Sequence, residues 1–204
     1  MKKLPRDFYL QDTNTVARKL LGKNIVQVVN NVPRIGKIVE TESYIGAIDK
    51  ACHGYNYKKT PRTEVIFSNG GISYVYLIYG MYHCMNVVSE KSGEPCAVLI
   101  RAIEPIAGIN EMAIDRYNTS YNNLSKKQIL NLSNGPGKLC IAMGITKAHN
   151  KIDLLSNEFY ICENESISDD DIVSTTRINI DYAEEAKDFL WRYYIKDNKY
   201  ISKK

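Results

Sequence analysis

Residues Ser73–Asn86 read SYVYLIYGMYHCMN, two β-prone runs meeting at Tyr79-Gly80. Val, Ile and Tyr suit a pleated, half-buried surface, and Gly gives a tight turn the backbone freedom it needs. Two antiparallel strands are predicted here, with Tyr74 and Tyr76 on one face by the two-residue period. Working outward, Arg34–Tyr44 (RIGKIVETESY) alternates through Ile35, Lys37 and Val39 as a strand, with another at Asn24–Val29. Cys96–Ile103 is an apolar strand bounded by Pro95 and Pro105. Short strands are predicted around Phe159–Cys162, Thr176–Ile180 and Leu190–Ile195. Asp12 can cap a helix bearing Val16, Ala17, Leu20 and Leu21 on one face, which Gly22 ends. Further helices are expected at Ile106–Tyr117, Lys126–Leu130 and Gly137–Met143. Ala47–Phe67 is poor in aliphatics and reads as a long functional loop. Strands and helices mix without βαβ alternation, which predicts an α+β fold with a mostly antiparallel sheet and flanking helices.

The chain has 204 residues, so a single domain spanning 1–204 is expected. Ordinary apolar (44%) and charged (25%) shares exclude wholesale disorder and coiled coil. The net charge of +4 is compatible with a polyanion partner without establishing one. Tyr is in surplus, at 15 against 4 Phe and 1 Trp, which suggests surfaces that stack and also hydrogen-bond. Five scattered cysteines without a CxxC pair predict neither a disulfide framework nor a zinc ribbon. Cys52-His53 and His83-Cys84 are adjacent pairs, and each could give a common metal only one ligand, so no metal is expected. The N-terminus lacks the apolar run of a signal peptide and no stretch is long enough to span a membrane, so a cytoplasmic location is expected.

Several residues could carry chemistry. On one strand, Glu40, Glu42 and Tyr44 share a face, either as a solvent-facing strip with Val39 and Thr41 inward or as a functional surface. Tyr79, on a turn tip, is either wasted or a wedge in a nucleic acid duplex, the plainer reading being a Tyr-rich hairpin that packs on a neighbour. Around His53, the loop residues Tyr55, Tyr57, Lys58, Lys59, Thr60, Pro61 and Arg62 suit phosphate contact and base stacking, or form a solvated basic loop. Gly135-Pro136-Gly137-Lys138 precedes a helix and could offer N–H groups and an ammonium to phosphate, though its spacing is not that of a P-loop. Arg101 lies in the apolar run VLIRAI and needs a partner, for which Glu42 is the obvious candidate.

The order of these blocks resembles the alkyladenine, or methylpurine, DNA glycosylase family. The matching blocks are Ile38–Gly46 (IVETESYIG), His53, Thr60-Pro61-Arg62, Tyr74–Asn86 (YVYLIYGMYHCMN), Val98–Pro105 (VLIRAIEP), Gly135–Cys140 (GPGKLC) and Trp191–Ile195 (WRYYI). The resemblance implies a compact domain around a curved antiparallel sheet with a protruding Tyr-rich hairpin. It also implies a monofunctional base-excision-repair glycosylase that flips alkylated or deaminated purines from duplex DNA and hydrolyses the N-glycosidic bond. Glu42 would be the general base, with Arg101 and a backbone carbonyl near Ile178 holding the water. Tyr44, His53, Tyr76 and Asn86 would form the base pocket, and Tyr79 would intercalate. Thr60, Arg62 and Lys138 would touch the DNA backbone. Glu40 is expected to matter far less than Glu42. The implied partner is double-stranded DNA carrying a damaged purine, met by a monomer without cofactor, metal or membrane.

Three positions depart from the family pattern: Asn179 stands where Gly is common, His83 where an aromatic is common, and Leu190 where Pro is common. Asn tolerates the left-handed region better than most residues. One rival reading is a catalytically inactive DNA- or RNA-binding module on the same fold. A second is a hydrolase of free nucleosides, which would have no use for Tyr79 on a turn tip. Glu42 and Arg101 argue against the first, because a pure binder gains nothing from a carboxylate facing phosphates.

Overall fold

The structure is a computed structural model and describes residues 1–203. In chain order its regular elements begin with helices α1 (Arg6–Tyr9) and α2 (Thr13–Leu20), then strands β1 (Asn24–Val29) and β2 (Val32–Ile45). Strands β3 (Ser73–Ile78), β4 (Tyr82–Val88) and β5 (Cys96–Ala107) follow. Next come helices α3 (Ile109–Tyr117), α4 (Lys126–Leu130) and α5 (Pro136–Met143), and then strands β6 (Phe159–Cys162), β7 (Ile172–Thr175) and β8 (Arg192–Ile195). The expected α+β class holds. Its strands form one antiparallel sheet in the order β3-β4-β5-β2-β1-β6, with β8 pairing both β2 and β7, curled into a half-barrel.

Local chemistry explains most boundaries. Asp12 caps α2 by accepting from the Thr15 N–H at 3.0 Å, leaving Val16, Ala17 and Leu20 buried on one face. The hairpin pairs Ile78 of β3 with Tyr82 of β4 and closes through Tyr79, Gly80 and Met81, with φ of 54° and 69° at the first two and Met81 N–H donating to the Ile78 carbonyl. Successive positive φ values are the pattern of a type I′ turn, whose twist matches the flanking strands. The core packs α2 and the apolar face of α5 (Leu139, Ala142, Met143) against Val75, Met85, Val98 and Ile100 of the sheet. Each fully buried Leu, Ile or Met side chain contributes about 1.5–3 kcal/mol.

Three segments differ from expectation. β5 runs through Pro105 to Ala107, and the helix begins only at Ile109. Pro105 is tolerated because it lies opposite Gly36 at a register shift, where the ladder asks nothing of a missing N–H. Thr176–Ile180 is irregular, and the neighbouring strand is Ile172–Thr175 instead. Asn179 has φ of 60° and cannot continue a strand. The last strand starts at Arg192 rather than Leu190, which is exposed.

Two β-bulges shape the middle of the sheet. Ile38 pairs with Ile103, Glu40 with Ala102 and Thr41 with Ile100. Val39 is therefore the extra residue on β2, and Arg101 the extra residue on β5. A bulge bends its strand and re-aims a side chain.

Candidate active site

The bulges bring Glu40, Glu42 and Arg101 together inside the protein. Glu40 and Glu42 are both fully buried, which rules out the solvent-facing strip for this strand. Buried carboxylates need donors, and Glu42 has three. Its Oε2 accepts from the Tyr44 hydroxyl at 2.8 Å and from Arg101 Nη1 at 3.1 Å, and its Oε1 accepts from the Ile178 N–H at 2.9 Å. An ionised carboxylate has about four lone-pair sites, so roughly one acceptor site remains, on Oε1. The expected partnership of Arg101 with Glu42 is present, and the guanidinium also reaches Glu40 through Nε at 3.1 Å. Ile178 meets Glu42 through its amide rather than its carbonyl. Asn179, in the left-handed conformation, turns the chain directly after that amide.

Tyr44, Arg101 and Ile178 also line an open cleft of about 310 Å³, with His53, Tyr76, Tyr79, Tyr182, Pro136 and Gly137 among its other walls. That volume suits a small ligand. Behind it, Tyr44, His53, Tyr74, Tyr76 and Asn86 surround a cavity of about 30 Å³, room for a water but not for a nucleobase. Asn86 is fixed there by donating its Nδ2 to the Tyr74 carbonyl at 3.1 Å. His53 Nδ1 pairs with the Tyr74 hydroxyl at 2.8 Å, and its ring lies 4.7 Å from that of Tyr76, edge to face. The cleft is thus walled by aromatic faces over a carboxylate.

Charge within the site is sharply ordered. Burial pushes the Tyr44 hydroxyl well above its usual range, with Glu42 adding to the effect, so it stays a proton donor to that carboxylate. Burial likewise raises Tyr74 to about 12. His53 keeps an exposed edge, yet desolvation of its enclosed side, helped by the Arg62 charge, lowers its pKa to about 4. The imidazole is therefore neutral at physiological pH. Burial opposes the charge on Arg101, and Glu42 and Glu40 together more than offset it.

The remaining sequence candidates lie at the rim. Tyr79 is 72% exposed on the turn tip, so it does not pack on a neighbouring element. Arg62 is exposed and its guanidinium lies 5.3 Å from the Tyr76 ring centre, beside the pocket. Thr60 exchanges local hydrogen bonds with Thr63 and serves to shape the loop. Lys138, on the first turn of α5, is held by Asn131 at 3.0 Å and Asn134 at 2.8 Å with no carboxylate partner. Burial lowers its pKa, with Arg116 contributing. His83 is half-buried opposite Leu77 in the hairpin.

Sequence reasoning missed a buried ion pair behind Tyr44. Arg177 donates Nη2 to Asp49 Oδ1 at 2.8 Å and Nη1 to Asp49 Oδ2 at 2.5 Å. Its guanidinium also lies 4.8 Å from the Tyr44 ring centre and 5.3 Å from that of Trp191. Neither residue lies in a periodic pattern, and they are 128 positions apart. Tyr182, 70% exposed across the cleft, was also missed, and only the surplus of Tyr hinted at such a residue. Among the described residues no group of three or more His, Cys, Asp or Glu is placed to hold a metal ion. The five cysteines are buried and free, and no described helix is long and apolar enough to cross a membrane.

Comparison with known proteins agrees with this geometry. Residues 7–199 match the family described as Methylpurine-DNA glycosylase (MPG). A protein of Clostridium perfringens (strain SM101 / Type A) named "Putative 3-methyladenine DNA glycosylase" is 56% identical over 204 residues, covering 99% of this chain and 100% of its own length. A protein of the same name from Clostridium novyi (strain NT) is 54% identical over 204 residues, with both chains fully covered. Another, from Alkaliphilus oremlandii (strain OhILAs), is 56% identical over 202 residues, covering 99% of this chain and 100% of its own.

Proposed function

Because the chain belongs to the methylpurine-DNA glycosylase family, and is thus a DNA glycosylase, we propose that it flips alkylated purines from duplex DNA into the aromatic cleft. There it hydrolyses their bond to deoxyribose, leaving an abasic site. Its substrates are 3-methyladenine and 7-methylguanine, with hypoxanthine as a deaminated one. The observation that carries this reading is Glu42, a carboxylate with three fixed donors and one acceptor site left, directly beneath the cleft wall.

Alkylation at N3 or N7 makes the purine cationic and weakens its glycosidic bond. The faces of Tyr44 and Tyr76 favour such a cation by about 0.5–2 kcal/mol per contact. A neutral His53 adds no opposing charge. As the C1′–N bond breaks, its electron pair leaves with the base and the sugar becomes oxocarbenium-like. Glu42 stabilises that charge and takes a proton from the water whose oxygen bonds to C1′. A cationic purine leaves neutral and needs no acid, so one carboxylate suffices for the alkylated bases, whereas neutral hypoxanthine must gain a proton as it leaves. Arg101 and the backbone at Ile178 orient the water, Tyr79 fills the gap left in the stack, and Arg62, Lys138 and Thr60 face the DNA backbone. The protein acts as a monomer.

Glu42→Gln keeps the shape of the side chain but removes its capacity to accept a proton. Single-turnover base release from a 7-methylguanine duplex should fall by about 10²–10⁴-fold. Gel-shift affinity should hold or tighten, since a charge opposing the phosphates is gone. Release within threefold of wild type would remove Glu42 from the catalytic role.

A further inference from the structure

Glu40 is as fully buried as Glu42, and unlike Glu42 it bonds only one residue of the cleft wall, Arg101. It is also more heavily bonded. Its Oε1 accepts from Arg101 Nε at 3.1 Å, Arg192 Nη1 at 2.9 Å and the Ser202 hydroxyl at 2.8 Å, and its Oε2 accepts from the Ser202 N–H at 2.6 Å. These contacts lead to two of Glu42's three donors. Arg101 is shared directly, with Nε on Glu40 and Nη1 on Glu42. Arg192, while held by Glu40, donates its Nε to the Thr176 carbonyl at 3.1 Å. Thr176 lies two residues before Ile178, whose N–H binds Glu42 Oε1.

We infer that Glu40 is a positioning residue for base hydrolysis, fixing Arg101 and the Thr176–Ile178 segment around Glu42 while balancing their charge. The inference rests on the proposed role of Glu42. Glu40 and Glu42 face Arg101 and Arg192, two anions against two cations, all four buried. The other ionisable neighbours of Glu42 are the Tyr44 hydroxyl on β2 and the Cys84 thiol on β4, both pushed up by burial and neutral, and Arg177 over the Tyr44 ring. Removing the Glu40 charge would leave a cation in excess beside the base. The base would then hold its proton less readily and be a weaker proton acceptor. Losing the bonds alone would loosen Arg101 without changing that balance.

Two variants separate these effects. Glu40→Gln should slow single-turnover release at neutral pH by about 10- to 100-fold, on the scale of a misplaced reactive group. It should also move the acid limb of the pH–rate profile down by about one unit, the lower end of the effect of a neighbouring charge. Lesion-DNA affinity should stay within about twofold, since Glu40 is remote from the duplex. Ser202→Ala removes the hydroxyl bonds to Glu40 and Arg101 Nη2 but keeps the charge, so the rate should fall several-fold with the limb unmoved. A purely structural residue would lower the melting temperature and the active fraction and leave the limb in place. A folded Glu40→Gln protein with an unmoved limb overturns the inference. Should that variant fail to fold, a wild-type rate in Ser202→Ala overturns it. Glu42→Gln is run alongside, and if it proves active, the failure belongs to the proposed function instead.

Discussion

Tyr79→Asn should push stability and base capture in opposite directions. Tyr79 sits at φ of 54°, a region that costs an L-residue other than Gly or Asn about 1–2 kcal/mol. The substitution puts the favoured Asn-Gly pair on the hairpin tip. Little packing is lost, because Tyr79 is 72% exposed and a Cβ built on the adjacent Gly80 meets nothing within 4 Å. Asn relieves part of the strain, so unfolding free energy should rise by about 0.5–1 kcal/mol. For a chain of this size that raises Tm by about 1–4 °C. In the complex with DNA, the lost aromatic face should cost about 1–3 kcal/mol of stacking, or about 5- to 150-fold in the population of the flipped state. Differential scanning of the free protein reads the first quantity. Fluorescence of a base analogue at the lesion reads the second. A lower Tm would mean that Tyr79 packs in the native state, and a wild-type extrusion signal would end its role as a wedge. Opposite signs in the two assays would identify a strained residue kept for function.

Two further outcomes follow from the electrostatics. Asp49→Asn takes the carboxylate from the buried Arg177 charge and leaves it an amide and the Ser43 and Ala186 carbonyls, all neutral, so stability should drop by about 3–5 kcal/mol in denaturant titration, and the Tyr44 ring that Arg177 backs should lose order; a loss below about 1 kcal/mol would show that solvent reaches the pair. His53 has its pKa lowered from 6.5 to about 4, so the unfolded chain binds a proton there that the native state does not, and stability should fall as pH drops from 6.5 toward 4. Replacing His53 with Phe should flatten that slope, and an unchanged slope would place its origin elsewhere.

Local patterns were legible and long-range ones were not. The hairpin follows from alternating Tyr and Val with Gly at the turn, and α2 from Asp12 and its apolar face. Glu42, Tyr44 and Arg101 were readable as a group because two share a strand and the third is a charge in an apolar run. The bulges at Val39 and Arg101 left no mark, since a single extra residue does not disturb composition. They are what allow Arg101 to serve both carboxylates. Thr176–Ile180 looked like a strand because Ile178 and Ile180 alternate, but Asn179 between them is left-handed. The Arg177–Asp49 pair and the Glu40–Arg192–Ser202 contacts join distant parts of the chain, so no local pattern announces them.

The pairing of β2 has a consequence in time. One edge of this strand is shared, with β1 along Val32–Lys37 and β8 along Glu40–Glu42. The partner that completes the edge beside the proposed base is thus synthesised about 150 residues after it, as the 152-residue separation of Glu40 and Arg192 records. A growing chain emerges at roughly 5–20 residues per second. For several seconds the segments of the Tyr hairpin and the basic loop have been synthesised while Arg192 and Ile178, which complete the contacts of the two carboxylates, have not. The donor set of the proposed base is therefore completed only by the last part of the chain, and a chain clipped before Arg192 would lack it.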